Sequence, residues 1–108
     1  MSNPINELTF DKEGFLTSLE LWNEDVAHTI AEKENLTLSK EHFDVIYLLR
    51  DFYKKHEVAP ANRPLVKLVK TQIAEEKGNS IYLMTLFPES PAKIGAKIAG
   101  LPKPPNCL

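Results

Sequence analysis

Cys107 is the only cysteine of the chain, and it sits in the stretch Leu101-Pro102-Lys103-Pro104-Pro105-Asn106-Cys107-Leu108. A cysteine thiolate is a nucleophile that can attack a sulfur atom, carry it, and be displaced by a second thiolate. Pro102, Pro104 and Pro105 remove backbone donors before it, which excludes a helix or a central strand. Residues that precede proline are also driven to extended geometry. The expected conformer is a polyproline-like arm rising about 3.1 Å per residue, enough to hold the thiol roughly 20 Å beyond the last packed element. Such a thiol suits entry into another protein's pocket better than filling a core. The residue types also admit a plainer account, because chain ends are commonly unstructured and a lone cysteine is commonly a small buried hydrophobe. Lys103, the nearest cation along the chain, has two readings as well: it favours the thiolate, or it is a solvated lysine that keeps the tail in water.

Other chemistries fit less well. One cysteine cannot form an internal disulfide or a cysteine-based metal site, and His42 and His56 are not the i, i+4 pair of a helical metal site. No metal and no cofactor are therefore expected. A cysteine hydrolase needs a base fixed beside its nucleophile, which the end of an arm does not supply. The net charge of -2 argues against a dedicated nucleic-acid binder. A helix-turn-helix DNA-binding regulator is the rival from a different class, with Lys67 and Lys70 on its reading helix, but Glu75 and Glu76 follow them. The chain has no apolar run long enough for a bilayer and no charged-then-apolar start, so no membrane association is expected. Cytoplasmic residence with a reduced thiol is the economical expectation.

The elements that must position the thiol read as mainly α. Ile5 to Leu16 predicts a small N-terminal hairpin, with alternating Leu8 and Phe10, a turn at Asp11-Lys12-Glu13-Gly14, and a return through Phe15 and Leu16. Asn23 to Glu34 predicts the first helix, capped by Asn23, with Trp22 stapled onto Val26 or Ala27. Lys40 to Lys55 predicts a second, the most buried, with Phe43, Ile46, Tyr47, Leu49, Phe52 and Tyr53 inward and Arg50 outward or at the end. A third opens at Asn62 as N-cap, tolerates Pro64 in its first turn and ends at Gly78 as a left-handed C-terminal residue. Asn79 or Ser80 caps a short fourth helix, and a last one from about Pro91 to Ala99 buries Ile94 and Ile98. The expected division is residues 1–99 as hairpin plus helical bundle, and residues 100–108 as an arm carrying the cysteine.

The segment Lys97-Ile98-Ala99-Gly100-Leu101-Pro102-Lys103-Pro104-Pro105-Asn106-Cys107-Leu108 resembles the signature tail of the DsrC/TusE family of small sulfur-relay proteins. Trp22-Asn23-Glu24, Arg50-Asp51-Phe52-Tyr53, Pro60-Ala61 with Arg63 and Leu65, Glu76-Lys77-Gly78-Asn79-Ser80 and Leu86-Phe87-Pro88 agree with it. The resemblance implies an orthogonal helical bundle with an N-terminal hairpin and a C-terminal arm, and it implies that Cys107 bears a persulfide. In the family's tRNA branch, that cysteine takes sulfur from a TusBCD-type complex and passes it to an MnmA-type tRNA-thiolating enzyme, with tRNA bound to that enzyme, for wobble 2-thiouridine. In the sulfite-reductase branch a second cysteine precedes the last one. Ala96 stands at that place here, which favours the tRNA branch over a partner of dissimilatory sulfite reductase or of sulfur oxidation. Arg63 matches an arginine of the family motif. It is read either as a holder of the arm or of an anionic sulfur species, or as an ordinary surface arginine.

Overall fold

The computed structural model describes residues 8–105. It contains five α-helices, α1 (Glu24–Lys33), α2 (Lys40–His56), α3 (Asn62–Gln72), α4 (Ser80–Leu86) and α5 (Pro91–Ile98), with short 3-10 turns at Leu19–Leu21 and Glu75–Lys77. The expected helical character is met, and no described helix is long and apolar enough to cross a membrane.

Among the described residues the expected two-stranded hairpin is not formed. Its first residues lie outside the described part, and what is described contains one isolated antiparallel bridge, Phe10 to Leu16. A strand sends neighbouring side chains to opposite faces. Phe15 and Leu16 are adjacent and both buried, at 1% and 4% exposure, so this segment cannot continue as a strand lying on the core. Asp11 organises a compact turn instead. Its Oδ1 accepts from the backbone N–H groups of Glu13 and Phe15, both at 2.9 Å. Gly14 takes the left-handed conformation that the turn requires (φ 89°).

Local signals set the helix starts. Asn23 Oδ1 accepts from the Val26 N–H at 2.9 Å, and Asn79 Oδ1 accepts from the Tyr82 N–H at 2.7 Å. At α2 the Ser39 N–H donates to His42 Nδ1 (3.0 Å), so the ring proton sits on Nε2, which donates to the Leu86 carbonyl (2.8 Å). A buried histidine thereby joins the start of α2 to the end of α4.

Asn62 does something other than expected. It is the first residue of α3, preceded by Ala61 at the cap, and its Oδ1 accepts from the Ala92 N–H at 2.8 Å. It therefore caps α5 across the fold. Gly78 is not a left-handed C-terminal residue either: α3 ends at Gln72, and a Cβ on Gly78 would stand 2.2 Å from Lys70 Cβ. Glycine is required there because the chain passes against α3.

The hub is α5 rather than α2, since α1, α2, α3 and α4 all pack on it. Ala92, Ala96, Ile98 and Ala99 are fully buried, while Ile94 is only half-buried. Its small side chains let neighbours approach closely; a Cβ on Gly95 would already touch Leu49 at 3.0 Å. α5 has only eight residues and buries mostly small ones such as alanine and glycine, whereas α2 has seventeen and carries large apolar side chains, which is why a reading by apolar bulk favours α2 as the central element.

Candidate functional site

The end of α5 is where the cysteine-bearing tail begins, and its last carbonyls are all bonded. The Gly100 N–H donates to Lys97 O (3.2 Å) and the Leu101 N–H to Ala96 O (2.9 Å), the paired bonds of a Schellman terminus. Gly100 is left-handed (φ 73°), and a Cβ on it would fall 2.5 Å from Trp22 Cδ1. The next two carbonyls, orphaned by the end of the helix, are taken by side chains. Trp22 Nε1 donates to Ile98 O at 2.8 Å, and Arg50 donates to Ala99 O at 2.7 Å. The Arg50 guanidinium also stacks over the Trp22 ring, 4.1 Å from its centroid.

Arg50 is thus not an outward residue. Burial of its guanidinium holds its pKa below the ordinary arginine value, against a smaller opposing effect from Tyr47. It remains a cation and so remains a donor. The Trp22 ring also serves the end of α5, a role that its position in the sequence does not assign to it. The signal for Arg50 was present in the sequence, because it lies three and four residues beyond Tyr47 and Ile46, on the flank of the apolar stripe.

The tail does not leave the body at Gly100. Leu101 is 2% exposed within the core, and Pro104 is buried as well. Between them Lys103 Nζ pairs with Glu13 at 3.0 Å, and Lys93 reaches the same carboxylate at 3.5 Å. The hydrogen bond from Lys103 is the main cause of a Glu13 pKa below the usual carboxylate value. The residue expected to tune the thiol therefore fastens the tail to the Asp11–Gly14 turn. Beside the tail's root, Leu19, Tyr47, Arg50, Tyr53, Lys54 and Leu101 line an open groove of about 450 Å³.

Cys107 itself lies outside the described residues. Arg63 is exposed in the first turn of α3, and no hydrogen bond or ion pair joins it to the described part of the tail. Among the described residues no group of three or more His, Cys, Asp or Glu could hold a metal ion.

The family model described as "DsrC like protein" matches residues 4–108. The chain belongs to the DsrC-like family. It is 49% identical to the sulfurtransferase TusE of Escherichia coli K12, over 94% of each chain. Among solved structures it is similar to DsrC of Allochromatium vinosum, with 46% identity, a TM-score of 0.85, and 94% of this chain and 90% of that one covered. It is also similar to the oxidized gamma-subunit of dissimilatory sulfite reductase (DsrC) from Archaeoglobus fulgidus, with 40% identity, a TM-score of 0.82, and coverage of 94% and 92%. The match runs through the tail, so the family assignment includes Cys107 and the prolines before it.

Proposed function

We propose that this DsrC-like protein is a sulfur carrier whose Cys107 accepts sulfane sulfur from a TusBCD-type donor complex and delivers it to an MnmA-type tRNA 2-thiouridylase. The observation that carries this reading is the family match extending to the end of a tail whose only thiol is Cys107. The likeness to named sulfurtransferases supports the transfer, and the DsrC structures support the scaffold.

The chemistry needs no oxidant. The Cys107 thiolate attacks the outer sulfur of a donor persulfide, R–S–SH. A sulfur–sulfur bond forms to Cys107, the donor's own sulfur–sulfur bond breaks, and R–S⁻ leaves with the electron pair. The product is Cys107–S–SH. An acceptor thiolate then repeats the attack on the carried sulfur, and the Cys107 thiolate departs. The body contributes a fixed starting point for the arm, through Trp22, Arg50 and the Gly100 terminus. Arg63 and Lys103 are assigned supporting roles: Lys103 holds the arm's first half near Glu13, and Arg63 meets a partner.

The sulfite-reductase alternative needs a second thiol on the same chain. Ala96 stands at its place and is fully buried in α5, which supports the single-cysteine relay. The test is Cys107→Ser. Incubated with the donor complex, the native protein is expected to gain the mass of one sulfur atom and the variant none, with unchanged folding. Uptake by the serine variant would end the proposal. Loss of 2-thiouridine from the tRNA of cells lacking the protein is the cellular counterpart.

A further inference from the structure

We infer that the outer face of α3 and α4 is the docking surface for the sulfur-donor complex, through an acidic, apolar-centred patch on that partner. This rests on the relay proposed above and adds to it a second site, separate from the arm.

Arg63, Lys67 and Lys70 are spaced four and three residues apart, so they form one stripe along α3, spanning about 10 Å. All three are exposed, and none is in an ion pair among the described residues. α3 itself holds no acidic residue, and the nearest along the chain, Glu75 and Glu76, follow on the 3-10 turn that packs against it. Arg63 sits at the positive end of the helix dipole, where a cation is unfavourable. Its place there does nothing for the stability of α3.

Apolar surface is exposed on α4, which meets α3 at a shared cavity. Ile81 is 80% exposed and Met84 46% exposed, both on α4. Between the helices, Val66, Leu83, Met84 and Pro91, together with the polar Asn62, Ser80 and Glu89, line a cavity of about 170 Å³. An exposed methionine at an open hollow of mixed lining, with an arginine on the neighbouring helix, is the composition of a protein interface. A phosphate backbone has no use for an exposed isoleucine, and the chain's net charge of -2 disfavours nucleic acid further.

Charge complementarity also separates donor from acceptor. An enzyme that binds tRNA must present cations where the tRNA lies. A cationic stripe is repelled from such ground and attracted to an acidic patch. The placement allows docking and delivery together. Asn62, at the start of α3, is bonded to the start of α5, whereas the arm leaves the other end of α5 about 12 Å away.

The experiment measures the affinity of the full-length protein for the purified TusBCD-type complex of the same organism, at low and high salt. Two variants are compared with wild type: Arg63→Glu with Lys67→Glu and Lys70→Glu, and Ile81→Asp with Met84→Asp. The charge reversal is expected to weaken binding at least about tenfold and to abolish its salt dependence. The apolar change is expected to weaken it about fivefold. Melting temperature and the rate of Cys107 alkylation by iodoacetamide should stay at wild-type values, because all five residues are exposed. Cys107→Ser should dock like wild type. Unchanged affinity in both variants, or no association of the wild type with the donor, overturns the inference. So does a loss confined to the MnmA-type enzyme or to tRNA. Sulfur transfer that persists with undiminished docking in the variants would sink this surface and leave the relay standing. Docking lost in the variants, with no sulfur ever carried on wild-type Cys107, would do the reverse.

Discussion

The root of the tail and the α3–α4 face make opposite use of similar residues. At the root an arginine, a tryptophan and a lysine are turned toward backbone carbonyls or a carboxylate, and each holds one point of the chain from Ile98 to Lys103. On the α3–α4 face an arginine, two lysines, an isoleucine and a methionine are exposed, and among the described residues their side chains make no hydrogen bond or ion pair. Bonds to orphaned helix carbonyls stabilise the native chain, whereas unpaired exposed cations and apolar groups contribute little or a small cost. Substitutions at the root should therefore register in stability, and substitutions on the face should register only with a partner present.

The largest effect expected in the folded body comes from Gly100→Ala. It places a Cβ 2.5 Å from Trp22 Cδ1 at a left-handed φ of 73°, so strain and overpacking add. A loss of about 3 kcal/mol in denaturant unfolding is expected. A loss below about 1 kcal/mol would mean that the root is not closed as described.

Arg50→Met ranks next. It keeps the stem and removes the donor to the Ala99 carbonyl. A loss of about 1–2 kcal/mol is expected, together with faster hydrogen exchange at Gly100 and Leu101. Unchanged exchange at those two amides would separate Arg50 from the tail.

The smallest effect is at Glu13. Its carboxyl, exposed and held below the usual carboxylate value chiefly by Lys103, is more easily ionised folded than unfolded. The contribution is thus present above the unfolded pKa and disappears as pH falls through the lower folded one. Lys103 resonances in an NMR titration are expected to move with a midpoint below the ordinary glutamate range. In Glu13→Gln that movement should vanish while the melting temperature stays within about 2 °C, as suits an exposed pair. A midpoint at the ordinary value would dissolve the contact. The same substitution on the other face, Lys67→Gln, is expected to change nothing measurable in the isolated protein.

Much of this was legible before folding was considered. Asn23 and Asn79 are short polar side chains ahead of apolar periodic runs, and both cap as that pattern implies. The Asp11–Gly14 turn was readable for the same reason, although its flanks made one bridge rather than a ladder. The hairpin failed because alternation was judged on Leu8 and Phe10, while the adjacent Phe15 and Leu16 both turned inward. The charge of Arg50 suggests exposure, whereas its spacing from Ile46 and Tyr47 puts it on the flank of the apolar stripe, within reach of Trp22 and the Ala99 carbonyl.

The chain's own order determined the helices and the caps at Asn23 and Asn79, since these depend on residues within a turn or two of one another. Tertiary structure decided that α5 is the hub, that Asn62 caps α5, that Gly78 serves a close crossing and that Arg50 closes the root of the tail. Each of those depends on groups far apart in sequence, brought together by burial. Spacing along one helix carries no record of which distant carbonyl will be left without a partner.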